Sequence, residues 1–262
     1  MNSDEKLAYQ HLPLLGRRVL ISGASGNIGS VLAERLIKEG AIVALHYQNN
    51  AKKIDQLLTD INRYGDSRPY AVAIQGNLDS YDEAKKVFVK AETWLGGVDV
   101  LINCVGLSRD NSLLMLTEED TIAVIQGNLA PIVYLSEFMT GQKQVIEAGR
   151  IINITSITGL VGQPMRSLYG AAKGAVIAYT KSFAREFANK EWTANCIAPQ
   201  VVQGGLANHM KFHAQTIISG VTPVKRNCVP NDLSGLTVFL ASLESSFITG
   251  TVLNVTGGLI TW

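Results

Sequence analysis

The chain has 262 residues, of which 47% are hydrophobic and 17% charged, with a formal net charge of +1. That balance excludes a disordered chain and offers no basic surface for nucleic acid, so the expected partner is a small molecule or a protein. The length allows one domain with a large buried core.

In chain order, residues 1–14 form an expected N-terminal extension. Its mixture of Asp4, Glu5, Lys6, Gln10 and His11 with apolar residues lacks the apolar core of a secretory leader, and no run in the chain approaches a membrane span. From Arg17, short β-branched runs alternate with longer amphipathic stretches. Strands are predicted at 18–22, 41–47, 70–76, 100–103, 150–155, 193–197 and 251–255. Helices are predicted to begin near Ile28, Ala51, Ser80, Thr117, Ser167 and Pro230. This alternation predicts repeated βαβ units in one α/β domain, residues 15–262, with seven parallel strands and helices on both faces. Thr117-Glu118-Glu119-Asp120 is a capping box with Asp120 in the place of Glu or Gln. The segment 203–227 shows no clear period and is expected to be an irregular lid over the substrate. Cys104, Cys196 and Cys228 lie far apart without metal-ligand spacing, and their odd number opposes a complete disulfide framework. No metal site and a reducing, cytoplasmic setting are therefore expected.

Two features carry chemistry. Val19 to Ser22 runs into Gly23-Ala24-Ser25-Gly26-Asn27-Ile28-Gly29 and then a helix, a turn whose glycines permit close backbone approach to a pyrophosphate at a helix N-terminus. An ordinary strand-to-helix turn also fits that segment taken alone. Tyr169 and Lys173, four residues apart, share a helix face, so the cation can favour phenolate and make the tyrosine a usable proton donor. Ser156 precedes them by thirteen residues. Ordinary helices carry such Tyr and Lys pairs too.

Together these residues resemble the single-domain short-chain dehydrogenases and reductases from about Leu15 to the end. The family's Thr-Gly-x-x-x-Gly-x-Gly appears as Ser22 to Gly29, its Asn-Asn-Ala-Gly as Asn103 to Gly106, its active-site residues as Ser156, Tyr169 and Lys173, its structural asparagine as Asn128, and its late Ile-Thr-Gly motif as Ile248 to Gly258. The resemblance implies a Rossmann-type, doubly wound fold. It also implies that Tyr169 protonates a carbonyl oxygen, Ser156 bonds the same oxygen, Lys173 holds the nicotinamide ribose, and Asn128 keeps a water against Lys173. Cofactor contacts are implied for Gly23, Ser25, Asn27, Ile28 and Gly29; for Tyr47, Gln48 and Asn49; for Asn77 and Leu78; for Asn103, Val105 and Gly106; and for Tyr169, Lys173, Pro199 and Val202.

No carboxylate occurs between Leu45 and Lys53 to repel a 2'-phosphate, and Lys52 is near, so NADPH is expected in preference to NADH. Gly106 to Leu114, Ser182 to Glu186 and Asn195 to Pro199 are similar to 3-oxoacyl-(acyl-carrier-protein) reductases. The implied reaction is reduction of a 3-oxoacyl thioester on an acyl carrier protein, in fatty-acid or polyketide-type synthesis. Lys190 and Arg166 are expected to meet the carrier's acidic helix, although Glu147 stands where that subgroup often has a basic residue. A dehydrogenase of a free alcohol, sugar or steroid and a catalytically silent nucleotide-binding subunit remain the alternatives. A homotetramer or dimer is implied by the family. Five departures concern the cofactor side or the interface: Asn27 for glycine, where left-handed backbone is expected; Asn77 for aspartate; Gln200 and Gly204 for a glycine and a threonine that meets the nicotinamide; and Thr256 for an aspartate near the subunit contact.

Overall fold

The computed structural model describes residues 12–62, 70–206 and 212–261. Most of the expected extension lies outside them. Leu14, assigned to that extension from the sequence, is instead fully buried in the main core, and its amide donates to Glu39 O at 3.0 Å.

Strands β1 (Arg18–Ser22), β2 (Ile42–Tyr47), β3 (Ala71–Gln75), β4 (Val100–Asn103), β5 (Arg150–Ile154), β6 (Thr193–Pro199) and β7 (Val252–Val255) form one sheet. Their order is β3-β2-β1-β4-β5-β6-β7, and every neighbouring pair is parallel. The helices are α1 (Asn27–Lys38), α2 (Ala51–Asn62), α3 (Tyr81–Leu95), α4 (Glu118–Thr140), α5 (Thr158–Val161), α6 (Ser167–Phe187), α7 (Phe212–Val221) and α8 (Asn231–Ala241).

The strand centres are largely apolar because both faces are covered. Along β1, Val19 and Ile21 enter one buried cluster and Leu20 the other. Val43 and Leu45 against Ala44 in β2, and Val100 and Ile102 against Leu101 in β4, repeat the division. Leu36 of α1, Ile54 of α2 and Leu240 of α8 complete the first layer, while Phe88 of α3, Met139 of α4 and Phe183 of α6 complete the second. Each such side chain contributes roughly 1.5–3 kcal/mol by leaving water.

Helix α4 begins on the expected capping box, Thr117 accepting from Asp120 N at 3.1 Å and Asp120 accepting from Thr117 N at 3.2 Å. It runs for 23 residues, and by length and composition alone it could cross a membrane, which corrects the expectation that no run approaches such a span. It packs between α3 and α6 and buries Asn128, Pro131 and Ser136, as suits the core helix of a sheet protein.

Of the segment 203–227, residues 207–211 lie outside the described residues, and the described part is less irregular than expected, since it contains α7. The β-branched run Thr216-Ile217-Ile218 followed by Gly220 carries little helical signal of its own.

Candidate active site

Between β1 and β4 the strand order reverses, and the loops leaving these two strands diverge to open a crevice at the carboxyl end of the sheet. Gly23 adopts φ +72° beside the second loop, where a Cβ would stand 3.2 Å from Cys104 C and Val105 N. A Cβ on Gly29 would stand 2.5 Å from Gly23 O, so α1 closes onto the turn only with glycine there. Helix α1 has neither a side-chain cap nor an acid in its first turn. Open amides at a glycine cradle suit a phosphate anion, and the residues present thus fit a dinucleotide. Asn27 lies within α1 and is not among the described non-glycine residues with positive φ; the expected left-handed backbone at this position is not adopted.

A row of buried polar groups ties the end of the sheet together. Ser22 Oγ donates to Asn103 Oδ1 at 3.2 Å, Asn103 Nδ2 to Asn153 Oδ1 at 2.8 Å, and Asn153 Nδ2 to Thr180 Oγ1 at 2.8 Å. Asn103 therefore braces β1, β4, β5 and α6, its amide turned into the sheet.

About two to three turns before Thr180, α6 carries Tyr169 and Lys173, both buried. Thr155 Oγ1 donates to Lys173 O at 3.0 Å, and Gly159 lets α5 approach so closely that a Cβ there would stand 2.7 Å from Lys173 C. Lys173 Nζ donates to Ile154 O at 3.1 Å. Burial lowers its pKa to about 8, against the raising influence of Cys104 and Cys196. Burial raises the Tyr169 pKa, while Arg166 and the hydroxyl of Ser156 oppose that rise. Tyr169 is thus held in its proton-bearing form at neutral pH. Arg166 Cζ lies 4.7 Å and Lys173 Nζ 5.8 Å from the Tyr169 ring centroid, so both cations face the ring.

Ser156 Oγ accepts from Thr158 N at 3.2 Å and donates to Thr158 Oγ1 at 3.2 Å, and rotation of the hydroxyl would redirect that proton to a ligand oxygen. Asn128 is committed to backbone, its Nδ2 donating to Leu107 O at 2.7 Å and Val124 O at 2.8 Å. Its Oδ1 and Lys173 Nζ both face Gly106, where a Cβ would stand 3.2 and 3.3 Å from them. Ser156, Tyr169 and Lys173, though not the fully buried Asn128, line a cavity of about 580 Å³ together with Asn27, Ile28, Gly29, Val105, Gly106, Pro199 and Val202 among others.

A family profile described as Enoyl-(Acyl carrier protein) reductase matches residues 23–260. Nodulation protein G of Rhizobium sp. (strain N33) is 33% identical over 246 residues, covering 94% of this chain and 98% of that protein. The 3-oxoacyl-[acyl-carrier-protein] reductase FabG of Staphylococcus epidermidis is 33% identical over 245 residues, covering 94% and 99%. A crystal structure assigned as a gluconate dehydrogenase, from Agrobacterium tumefaciens, superposes with TM-score 0.89 at 25% identity, covering 96% of this chain and 98% of that one.

The chain belongs to the short-chain dehydrogenase/reductase family.

Several of the expected family cofactor positions fall outside the cavity. Tyr47 is half-buried at the end of β2, with Gln48 and Asn49 exposed beyond it. Asn77 caps its own turn by accepting from Asp79 N at 2.9 Å. The side chain of Leu78 belongs to the core, leaving only backbone for a ligand, and Ser25 is half-buried within the turn.

At the two other departures from the family pattern, the residues are engaged. Gln200 is buried; its Oε1 accepts from Thr222 Oγ1 at 3.1 Å and its Nε2 donates to Arg226 O at 3.5 Å. Thr256, also buried, receives Ile260 N at 3.3 Å and so closes a turn.

Of the cations expected at a carrier surface, Lys190 stands just before β6, at the opposite end of the sheet from the cavity. Arg166 turns inward and lines it. His46, which has no place in the family motif, joins two loops, its Nδ1 accepting from Gly23 N at 3.1 Å and its Nε2 meeting Gly76 O at 3.1 Å. The inward turn of Arg166 and the anchoring by Gln200 and His46 depend on contacts distant in sequence, so no local pattern announces them.

Proposed function

We propose that this short-chain oxidoreductase uses NADPH to reduce the ketone of a 3-oxoacyl thioester, carried on an acyl carrier protein, to the 3-hydroxyacyl thioester. The observation that carries the reading is the buried, protonated Tyr169 beside Ser156 in a cavity that also contains the glycine cradle. Bound NADPH would supply hydride to the ketone carbon. Tyr169 gives its proton to the carbonyl oxygen as charge develops there, and Ser156 donates a hydrogen bond to that oxygen. Lys173 holds the nicotinamide ribose, and Asn128 fixes the Leu107 loop against it. The turn Gly23, Ser25, Asn27, Ile28 and Gly29 receives the pyrophosphate; Val105, Gly106, Pro199 and Val202 border the nicotinamide. Asn50 Oδ1 accepts from Lys53 N at 3.3 Å at the start of α2, so the exposed Lys52, with Gln48 and Asn49, suits the 2'-phosphate.

The choice of a thioester rests on the relatives named as 3-oxoacyl reductases. A second reading, oxidation of a free hydroxy acid, is favoured by the likeness to the structure assigned as a gluconate dehydrogenase. The described residues 203–206 and 212–227 would serve as the lid in either case. Exposed Leu113, Leu114, Met115 and Ile122 support a dimer or homotetramer, and a cytoplasmic setting accompanies the carrier-linked reaction. Rates of the purified protein with NADPH and NADH on acetoacetyl thioesters and free ketones, and with NADP+ and NAD+ on gluconate, test the proposal. NADPH-dependent thioester reduction is the expected result; turnover of gluconate alone would transfer the assignment to the second reading.

A further inference from the structure

Arg166 precedes α6 and follows Met165, which is in the left-handed region at φ +67°, a conformation that carries strain outside glycine. The chain bends here so that the arginine side chain, only 13% exposed, lines the cavity. Its guanidinium carbon lies 4.7 Å from the Tyr169 ring centroid. Nε donates to Asp110 Oδ1 at 3.0 Å and Nη2 to Ser108 Oγ at 3.4 Å, while Ser108 Oγ donates to Asp110. Nη1 has no hydrogen-bond partner among the described residues. The Asn111 amide, donating to Met165 O at 2.9 Å, fixes the two segments relative to each other.

A donor beside the proton-donating phenol is suited to a second oxygen of the substrate, close to the reacting carbonyl. Resting on the reading above, we propose that Arg166 receives the thioester carbonyl oxygen of a 3-oxo substrate while Tyr169 and Ser156 hold its ketone oxygen. The two oxygens of such a compound are separated by three carbons and can face one wall together. Asp110 offsets the guanidinium charge, so the site accepts a neutral carbonyl; a free carboxylate in the same place would also meet Asp110. Arg166 thereby selects 3-oxo thioesters over simple ketones and over 3-oxo acids.

The test compares full-length wild type, Arg166→Met and Arg166→Gln with NADPH on acetoacetyl-N-acetylcysteamine and on the analogue whose thioester carbonyl is replaced by methylene. The ratio of kcat/KM for thioester to that for monoketone should fall about tenfold to a hundredfold in Arg166→Met, mostly through KM, and less in Arg166→Gln, which keeps a donor. Asp110→Asn should raise turnover of acetoacetate relative to the thioester. If the thioester is reduced by wild type but the ratio is unchanged in both arginine variants, Arg166 only staples the Ser108 loop to α6 and the inference falls while the proposed function stands. Wild type that reduces simple ketones and no 3-oxo thioester overturns both. NADPH fluorescence titration and thermal melting check that each variant retains its fold.

Discussion

Asn27 Nδ2 donates to the carbonyl of Gln203 at 2.6 Å, joining the start of α1 to the first residue of the proposed lid. The two residues that depart from the family's cofactor motifs on either side of this bond face each other, since a Cβ on Gly204 would stand 2.7 Å from Asn27 Oδ1. A side chain at Gly204 and the amide of Asn27 cannot both keep these positions.

The two sites are therefore coupled. Asn27→Ala should cost about 1 kcal/mol of stability through the lost hydrogen bond. Gly204→Ala loses the same bond and adds strain at φ +85°. The double variant should be less destabilised than the sum by about the value of that bond, as read from urea denaturation. Strict additivity would show that the bond contributes nothing.

Tyr169→Phe keeps the buried ring and removes the proton. Reduction should fall by about a hundredfold or more, while NADPH affinity by fluorescence titration remains within a few-fold of wild type. Because burial raises the Tyr169 pKa, wild-type reduction should persist through neutral pH and decline on the alkaline side as the phenol ionises. A rate that climbs steadily with alkalinity would contradict a tyrosine proton donor.

His46 should make the protein acid-sensitive. Its pKa is pushed down from 6.5 to about 4 by burial, and the neutral ring bridges Gly23 and Gly76. Protonation is easier in the unfolded chain, so the folded state is fully favoured above pH 6.5 and loses stability as pH falls from 6.5 towards 4, by at most about 3 kcal/mol from this group. Denaturation midpoints across that range should show the loss in wild type and a flatter profile in His46→Gln. Parallel profiles would assign the acid sensitivity elsewhere.

The end of β2 lacks a carboxylate, and Gln48→Asp supplies one. The ratio of kcat/KM with NADPH to that with NADH should drop by about tenfold or more from repulsion of the 2'-phosphate. No change in the ratio would place the adenosine ribose away from Gln48.

Much of this architecture was legible because strand periodicity and end signals are local. The runs Val19 to Ser22 and Val100 to Asn103, the Thr117 capping box and the glycine turn all specify their conformations within a few residues. The grouping of Ser156, Tyr169 and Lys173 was legible through motif order. Helix α7 was not, since the β-branched run Thr216-Ile217-Ile218 and Gly220 carry little helical signal. Arg166 and Lys190 show the same limit: a basic side chain at a helix end looks solvent-bound until Asp110 or the far end of the sheet supplies its surroundings. Gln200 looked like the loss of a cofactor contact when taken by itself, although it meets Thr222 and Arg226, which the linear chain keeps distant.

The buried row of Ser22, Asn103, Asn153 and Thr180 determines how errors reach Tyr169. Each amide is held sideways by its neighbour on the next element, so α6 is mounted on the sheet with little play. Replacing Asn153 with an apolar residue would leave the phenol intact and the crevice open, yet free the helix to swivel on its mounting. Such damage would appear as a pointing error: the same phenol, offered over a wider cone of directions, meeting the carbonyl oxygen in fewer of its encounters.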